Sequence, residues 1–485
     1  TENGYGQPGL LLTEITRLFP GRPVMFLRAG ILPSKYLIAQ LTRMLERADQ
    51  PLALTLLSNA EATVNPYSGL RTARQHTEYD LAGLVALLAP RQLHTLAAWT
   101  DHLIILSVNL VTRLSDETSD AIVWQQLLAE GGTLKVPDHL FLHDPDSRVF
   151  EPLKLQAHET AYPPPFSELS ARLQDWFNAG ITNLPIDPFG DRPATLHITH
   201  SWGGGVAQWL NSLIKTDRKH THLQLRSEDS QSGRGFGQKL CLYAGNELRC
   251  PIASWWLQPA IKSIVDSNAQ YREILSEVCN RYAIGRVFVS SLVGHSLDAL
   301  RSEVPTLQIL HDHFPLWPLL SVNPEPYLQA DAAPNLELAL HEHMKNREFR
   351  DKDAHAWLSI RLAYQQAIND FNIRIAAPGQ SVLDLQNQLE PAFKTLTSAI
   401  IPHGFPAMAD LRTILPKPRK DGRLRLLIPG RMQTGKGLQL LSRALPELVK
   451  HVQVYLLGTG KSGEAFFGLS GVDVILDYER DQLPS

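Results

Sequence analysis

Two cations and three glycines share one short loop near the end of this chain. In Leu424-Arg-Leu-Leu-Ile-Pro-Gly-Arg-Met-Gln-Thr-Gly-Lys-Gly-Leu-Gln-Leu-Leu441 the loop holds Arg431 and Lys436 among Gly430, Gly435 and Gly437. The apolar run Leu426 to Ile428 reads as a buried strand, Pro429 and Gly430 stop it, and an amphipathic helix follows from Leu438. Strand, glycine loop and helix start together make an anion site, because the first N–H groups of a helix and its dipole face the loop. Two cations in such a loop suit a diphosphate. Gly458 and Gly460 end the next strand candidate, Val452 to Gly458, and belong with the same edge. Far upstream, Thr195 to His200 reads as a strand followed by Ser201-Trp-Gly-Gly-Gly205 and a helix. Three glycines there allow close backbone approach to a ligand. The spacing is not Gly-x-Gly-x-x-Gly, so a dinucleotide cofactor is poorly supported.

These residues need a frame that brings loops to one edge. Strand and helix patterns alternate from Thr195 onward, which implies a parallel sheet with helices on both faces. Ligands of such sheets bind at the carboxyl ends of the strands. His295 follows the strand Ile284–Ser290, and His311, Asp312 and His313 follow Thr306–Leu310. A second sheet begins at Leu424, with further strands at Val452–Gly458 and Val472–Leu476. Thr1 to about Asp146 reads as an N-terminal α/β unit, with strands at Pro23–Gly30 and Leu52–Leu57 and helices at Pro33–Arg47, Asp80–Leu88 and Asp120–Glu130. Residues 147–194 are proline-rich and read as a semi-rigid linker holding one amphipathic helix near Leu169–Phe177. Residues 195–410 and 411–485 are the two remaining domains, the last expected to be only half written; the start at Thr1 implies numbering that begins inside a longer product.

A chain of 485 residues is too long for one core. Its 44% apolar and 20% charged content describe an ordinary globular protein, and a net charge of -3 argues against nucleic acid as a partner. Three cysteines without metal-ligand spacing read as reduced structural thiols. No run is long and apolar enough for a membrane span and no signal peptide is visible, so the expected location is the cytoplasm, with peripheral contact to the inner membrane face.

Four segments in order, Gly203–Gly205, Gly294-His295 with His311-Asp312, Ile401-Pro-His-Gly-Phe405 and Gly430-Arg-x-x-x-x-Lys-Gly437, resemble a GT-B glycosyltransferase of family 4. The resemblance covers about the last three-fifths of the chain. It implies a bacterial-type, retaining, metal-independent enzyme of surface polysaccharide assembly, with two Rossmann-like domains around a nucleotide-sugar donor and a glycan or lipid-linked acceptor. On it, Arg431 and Lys436 grip the donor diphosphate and stabilise the leaving group, while Gly204, Gly205, Gly430, Gly458 and Gly460 line the donor. His311 stands close to the reacting sugar, and Asp312 orients it or binds acceptor hydroxyls. Trp202 and His295 fall on the acceptor side. The family's two donor-side glutamates should follow the third strand of the last domain, beyond Ser485, and Ser290-Ser291 stand where many relatives carry a histidine. The N-terminal unit resembles the second half of a family 2, GT-A-type domain, with Phe26-Leu-Arg-Ala-Gly-Ile-Leu-Pro33 in place of the metal-binding acidic turn. Arg28 and Gly30 replace its carboxylates, which implies a degenerate or truncated module; a small accessory domain is the other reading.

Other readings compete. Gly430–Lys436 is a near match to a Walker A loop, but Gly437 stands where a hydroxyl should reach Mg²⁺. A phosphohydrolase is therefore one alternative, and a non-catalytic scaffold of glycosyltransferase shape another. His341-x-His343 offers a metal pair without a third ligand. His200 reads as a surface or satisfied histidine, His403 as structural, and Trp209, Trp255 and Trp256 as packing.

Overall fold

The computed structural model describes residues 14–27, 31, 33, 35–46, 53–60, 64–67, 70, 78–96, 100, 102–114, 134–143, 166–181, 184–186, 192–230, 235–320, 322–329, 332–344, 352–403, 422–432 and 437–477. The chain divides into two units: residues 1–197, 217–260 and 273–286, and residues 198–216, 261–272 and 287–485. This division differs from the expected boundaries at 147 and 195.

The first unit opens with β1 (Val24–Leu27), α1 (Lys35–Glu46), β2 (Ala53–Leu54), β3 (Leu57–Ser58), α2 (Glu78–Leu88), β4 (Leu93–Leu96), β5 (Leu103–Leu106), α3 (Val108–Leu114), β6 (Leu134–Pro137) and β7 (Phe141–Leu142). Five of the strands form a mixed sheet in the order β1-β5-β2-β6-β4. β5 is Leu-Ile-Ile-Leu, and alternate residues serve opposite faces. Ile104 and Leu106 pack with Val24, Phe26, Leu110 and Val111, while Leu103 and Ile105 pack with Leu37 and Leu41 of α1. The expected strand Leu52–Leu57 is two pieces, β2 in this sheet and β3 paired in parallel with β7. Residues 53–59 are all buried, so no alternation marked the break. The expected helix Asp120–Glu130 and the Arg28–Gly30 turn lie outside the described residues.

Of residues 147–194 the described ones are 166–181, 184–186 and 192–194, and the helix expected near Leu169–Phe177 is α4 (Ser167–Asn178). Leu169, Leu173 and Trp176 form an i, i+4, i+7 stripe, and all three are buried. Ser170 Oγ donates to Pro66 O at 3.1 Å and Arg172 Nη1 to Leu88 O at 2.9 Å, so the helix belongs to the N-terminal core. The last carbonyls of α2 are capped by cations and a phenol. Arg281 Nη2 donates to Leu87 O at 3.1 Å and also to Ala89 O, and Tyr282 OH donates to Leu87 O at 3.2 Å. A buried helix end needs such donors, since its carbonyls have no partner within the helix and carry partial negative charge.

Four further strands are ordered β11-β10-β9-β8: β8 (Ala194–His200), β9 (Thr221–Ser230), β10 (Gly235–Ala244) and β11 (Ala253–Trp256). β9, β10 and β11 pair antiparallel, against the expectation of an all-parallel sheet. Too few residues separate β9 from β10 for a crossover helix, and a hairpin is what remains.

β8 passes into the second unit at Ile198. There α5 (Gly204–Thr216) follows it, and the order continues β8-β12-β13-β14-β15, with β12 (Ile284–Val289), β13 (Thr306–Ile309), β14 (Arg374–Ala377) and β15 (Ser398–Ile400). β12 to β15 are parallel throughout. Ser290 donates its N–H to Ile198 O at 2.9 Å, which sets the carboxyl end of β8 beside that of β12. α6 (Ala269–Arg281), α7 (Leu336–Glu342), α8 (Ala354–Asp370) and α9 (Gln380–Leu389) connect the strands. Residues 262–266 form a turn ahead of α6, in which Asp266 Oδ2 accepts from the N–H groups of Lys262 and Ser263. Residues 422–477 form their own parallel sheet, β16 (Leu424–Pro429), β17 (Val452–Leu457) and β18 (Val472–Ile475), under α10 (Leu438–His451). Leu445 of α10 packs on Val454 and Leu456. The fold class is thus α/β, with Rossmann-like parallel strands β12–β15 and β16–β18 and an N-terminal α/β unit. No described helix is long and apolar enough to cross a membrane.

Trp176→Ala tests the placement of α4. Trp176 is 1% exposed, so its truncation is predicted to cost about 3–5 kcal/mol in urea unfolding of the first unit. A side chain on a solvated linker would cost about 0.5 kcal/mol or less.

Candidate functional site

The glycine corner of residues 422–477 is built by backbone hydrogen bonds that run past the strand ends. Gly430 N–H donates to Leu457 O at 2.7 Å and Met432 N–H to Thr459 O at 3.1 Å. Gly458 N–H donates to Ile475 O at 2.8 Å and Gly460 N–H to Leu476 O at 2.9 Å. Three carboxyl strand ends are therefore tied together. Gly430, Gly458 and Gly460 have φ of 114°, 72° and 62°, a region that favours glycine. Arg431 is exposed, and a Cβ at Gly460 would sit 3.9 Å from its Cγ, so the arginine stem lies along that glycine. A Cβ at Gly463 would collide with the buried Thr459 side chain, which fixes how closely the next turn packs under the corner. Gly437 begins α10 with φ of 83° and no side-chain cap. Arg431 thus stands beside Gly430, Gly458 and Gly460; Lys436 and Gly435 lie outside the described residues.

A second group of side chains gathers at the carboxyl edge of the β8-to-β15 strands. Gly203 and Gly204 have φ of 79° and 72°, and nothing stands within 4 Å of a Cβ at Gly203, Gly204 or Gly205. The first turn of α5 therefore faces open space. Trp202 is 47% exposed and meets His200 edge-on at 4.9 Å. Trp209, one turn along α5 from Gly205, meets His311 edge-on at 4.9 Å, and His403 lies 5.7 Å from His311 and 6.4 Å from Trp209. Trp209 and His403 were not among the expected site residues. The rule that singled out His311, a polar residue just beyond a strand end, points equally to His403 after β15.

His311 carries the chemistry of this group. Neither ring nitrogen is open to solvent or has a hydrogen-bond partner among the described residues. Burial first, then the neighbouring His403 and His200, pull its pKa down to about 4. Its neighbour Asp312 goes the other way, raised by burial to about 6. The usual order of titration is inverted, and at no pH are both groups mainly charged. Asp312 does not bond His311; its Oδ1 accepts from Phe314 N–H at 3.0 Å, an Asx turn that shapes the chain after β13. The expected orienting role of Asp312 is corrected accordingly. His313 Nδ1 sits 3.2 Å from Gln386 Oε1.

His295 is corrected as well. It is wholly buried, with Nδ1 3.0 Å from Tyr271 OH and Nε2 2.6 Å from Thr199 O. The pattern fits a neutral ring donating from Nε2 to the carbonyl and accepting from the phenol. Burial lowers its pKa to about 4, and it braces the end of β8 rather than meeting an acceptor. His343 Nε2 lies 2.9 Å from Tyr327 OH, and among the described residues no three His, Cys, Asp or Glu side chains stand together as a metal set.

The histidine shifts set a pH dependence. A histidine held near 4 when folded and near 6.5 when unfolded takes up its proton only on unfolding. Stability is therefore complete above about pH 6.5, falls with pH down to about 4, and is flat below. His311→Gln is predicted to remove about 2 kcal/mol of the loss between pH 7 and pH 5. Urea midpoints at the two pH values measure it, and an unchanged pH slope in the variant contradicts it.

No family model and no curated protein sequence matches this chain. Similar solved structures include a glycosyltransferase from Rickettsia africae ESF-5, at 12% identity over 61% of this chain and 70% of its own, with a TM-score of 0.31. MurG from Acinetobacter baumannii matches at 10% identity over 60% of this chain and 69% of its own, with a TM-score of 0.28. UDP-GlcNAc 2-epimerase from Neisseria meningitidis, bound to UDP-GlcNAc, matches at 11% identity over 60% and 74%, with a TM-score of 0.26. At such scores the likeness carries no inference about residues or activity.

Proposed function

We propose that this chain is a retaining glycosyltransferase that moves a sugar from a nucleotide-sugar to a glycan or lipid-linked acceptor in surface polysaccharide assembly, without a metal. One observation supports it most. An exposed, permanently charged Arg431 sits in a corner where three parallel strand ends are held by glycines in left-handed conformations. Small residues leave room for phosphate oxygens, and a fixed guanidinium meets them as a fork. In the proposed reaction Arg431 and Lys436 stabilise the charge that develops on the departing diphosphate, so no metal need do so. Gly430, Gly458 and Gly460 give the donor a close floor. The open first turn of α5 at Gly204 and Gly205, with Trp202 beside it, is assigned to the approach of donor or acceptor.

His311 enters this scheme as a neutral imidazole that bonds a sugar oxygen, with Asp312 shaping its turn. A neutral ring suits hydroxyl groups; it would be a poor partner for a phosphate at pH 7.

Calorimetry with UDP, GDP and ADP tests the diphosphate assignment. One of the three is predicted to bind, and Arg431→Ala to weaken it about 10- to 100-fold, the worth of one charged hydrogen-bonding group. Equal affinity in the variant and the parent chain would sink the assignment.

A further inference from the structure

A row of polar side chains in the first unit, unused by the candidate site, runs across the neighbouring strands β9, β8 and β12. His197 of β8 and His222 of β9 are 0% and 3% exposed, and His197 Nε2 lies 2.9 Å from His222 Nδ1. The other nitrogen of the second ring, His222 Nε2, stands 3.5 Å from Asp217 Oδ2. Asp217 also meets the half-buried His220, with Nδ1 at 2.8 Å, and Arg286 of β12, with Nη2 at 3.5 Å. Arg286 Nε donates to Thr195 Oγ1 at 2.8 Å. Asp217, Arg286 and His220 are the groups outside the pair whose charges bear on the two imidazoles. A carboxylate only accepts, so it decides the direction of the row. His222 carries its hydrogen on Nε2, facing Asp217; its Nδ1 is then a lone pair, and His197 donates to it from Nε2. The opposite tautomer would set a lone pair against a carboxylate. The segments of the first unit end at His197, resume at Asp217 and end again at Arg286. These three residues therefore stand where the chain leaves or re-enters that unit.

We propose that Asp217, His222 and His197 form a proton-operated clasp between β8 and β9, which holds one hydrogen-bond direction at neutral pH and reverses it in acid. The neutral pair carries hydrogens on His197 Nε2 and His222 Nε2. Uptake of one proton from water breaks the N–H bond at His197 Nε2 and makes N–H bonds at His222 Nδ1 and His197 Nδ1. His222 is then an imidazolium facing the Asp217 carboxylate, and His197 accepts at Nε2. Asp217 favours the charge on His222, the nearer ring. Burial opposes it, lowering the pKa of His222 and holding that of His197 well below the usual histidine range. A histidine whose folded pKa lies below its unfolded one takes up protons on unfolding. The neutral clasp therefore contributes its full stability above about pH 6.5 and loses it as pH falls toward the folded value. The imidazolium also competes with Arg286 for Asp217 Oδ2, the atom that both approach at 3.5 Å. Proton occupancy thus bears on β12 as well. The clasp is independent of any sugar or nucleotide ligand.

The test is nitrogen-resolved NMR of the full chain labelled at histidine, which reads the tautomer and protonation of each ring. The sample is taken from about pH 8 down to about pH 4, across the range in which histidines titrate. Near neutrality both His197 and His222 are expected as the Nε2–H tautomer. On acidification His222 is expected to become an imidazolium at a midpoint below about pH 6.5, with His197 changing to the Nδ1–H tautomer at the same midpoint. Asp217→Asn keeps the shape of the side chain and removes its charge, and it is expected to weaken proton binding at His222 about tenfold. A residue that only packs would leave tautomer and midpoint where they were. The parent titration needs no variant, so the test stands whether or not Asp217→Asn folds. An Nδ1–H tautomer at His222 near neutrality, separate midpoints for the two rings, or no protonation of His222 down to about pH 4 would each overturn the clasp. An unchanged midpoint in a folded Asp217→Asn would do the same. Zinc is titrated separately near neutrality and is expected to leave the ring signals in place. Joint shifts of His220 and His222 with zinc would make them and Asp217 a metal set and overturn the clasp.

Discussion

The candidate site depends on one constraint, the extension of a parallel hydrogen-bond ladder beyond the strands that begin it. β16, β17 and β18 pair in register, and hydrogen bonding continues from Gly430 and Gly458 to the last carbonyls of the next strand and from Met432 and Gly460 to Thr459 and Leu476 just beyond it. Loops at the carboxyl edge of a parallel sheet usually diverge. Here their first residues keep backbone hydrogen bonds to the neighbouring segment of the chain, with Gly430, Gly458 and Gly460 at positive φ. Arg431 inherits its position from that ladder, since Gly430 before it donates to Leu457 O and Met432 after it to Thr459 O. Thr459 and Gly463 close the arrangement from below.

Two kinds of polar chemistry result, and they are kept apart by charge. The corner at Arg431 is exposed and permanently cationic. His311 itself is shielded and neutral at pH 7, because burial and neighbouring imidazoles make a proton there costly. A nucleotide-sugar and its acceptor present the same division, an anionic diphosphate next to neutral pyranose rings. The correspondence is chemical, and it is why sugar transfer is preferred over a phosphohydrolase reading that needs only the first kind of group.

Much of the frame was legible in the sequence. The strands near Leu424, Val452 and Val472 could be read because each is a short apolar run ended by glycine or a polar turn and followed by a distinct segment. Where local pattern failed, tertiary context was the cause. His295 and His311 both follow a buried strand, and nothing in their neighbours in sequence separates them. Only Tyr271 and Thr199, brought in by the fold, make one a brace, while the other has no such partner among the described residues. The helix Ser167–Asn178 carried its packing signal in Leu169, Leu173 and Trp176, but the prolines on both sides of it suggested a linker. The alternation from Thr195 implied parallel pairing throughout, but short separation rather than composition makes β9 and β10 antiparallel. Trp209 and His403 were legible as residue types but not as neighbours, being almost 200 positions apart in the chain.

The central claim is that the Gly430–Gly460 corner holds the diphosphate of a sugar donor. Amide-resolved NMR of the full chain, titrated with UDP-, GDP- and ADP-sugars, tests it most directly. One donor is predicted to shift the amides of Gly430, Arg431, Gly458 and Gly460 in a single saturable step, with its bare nucleoside shifting them little. A panel in which no nucleotide-sugar binds, or one that binds while leaving those four amides unmoved, would contradict the account.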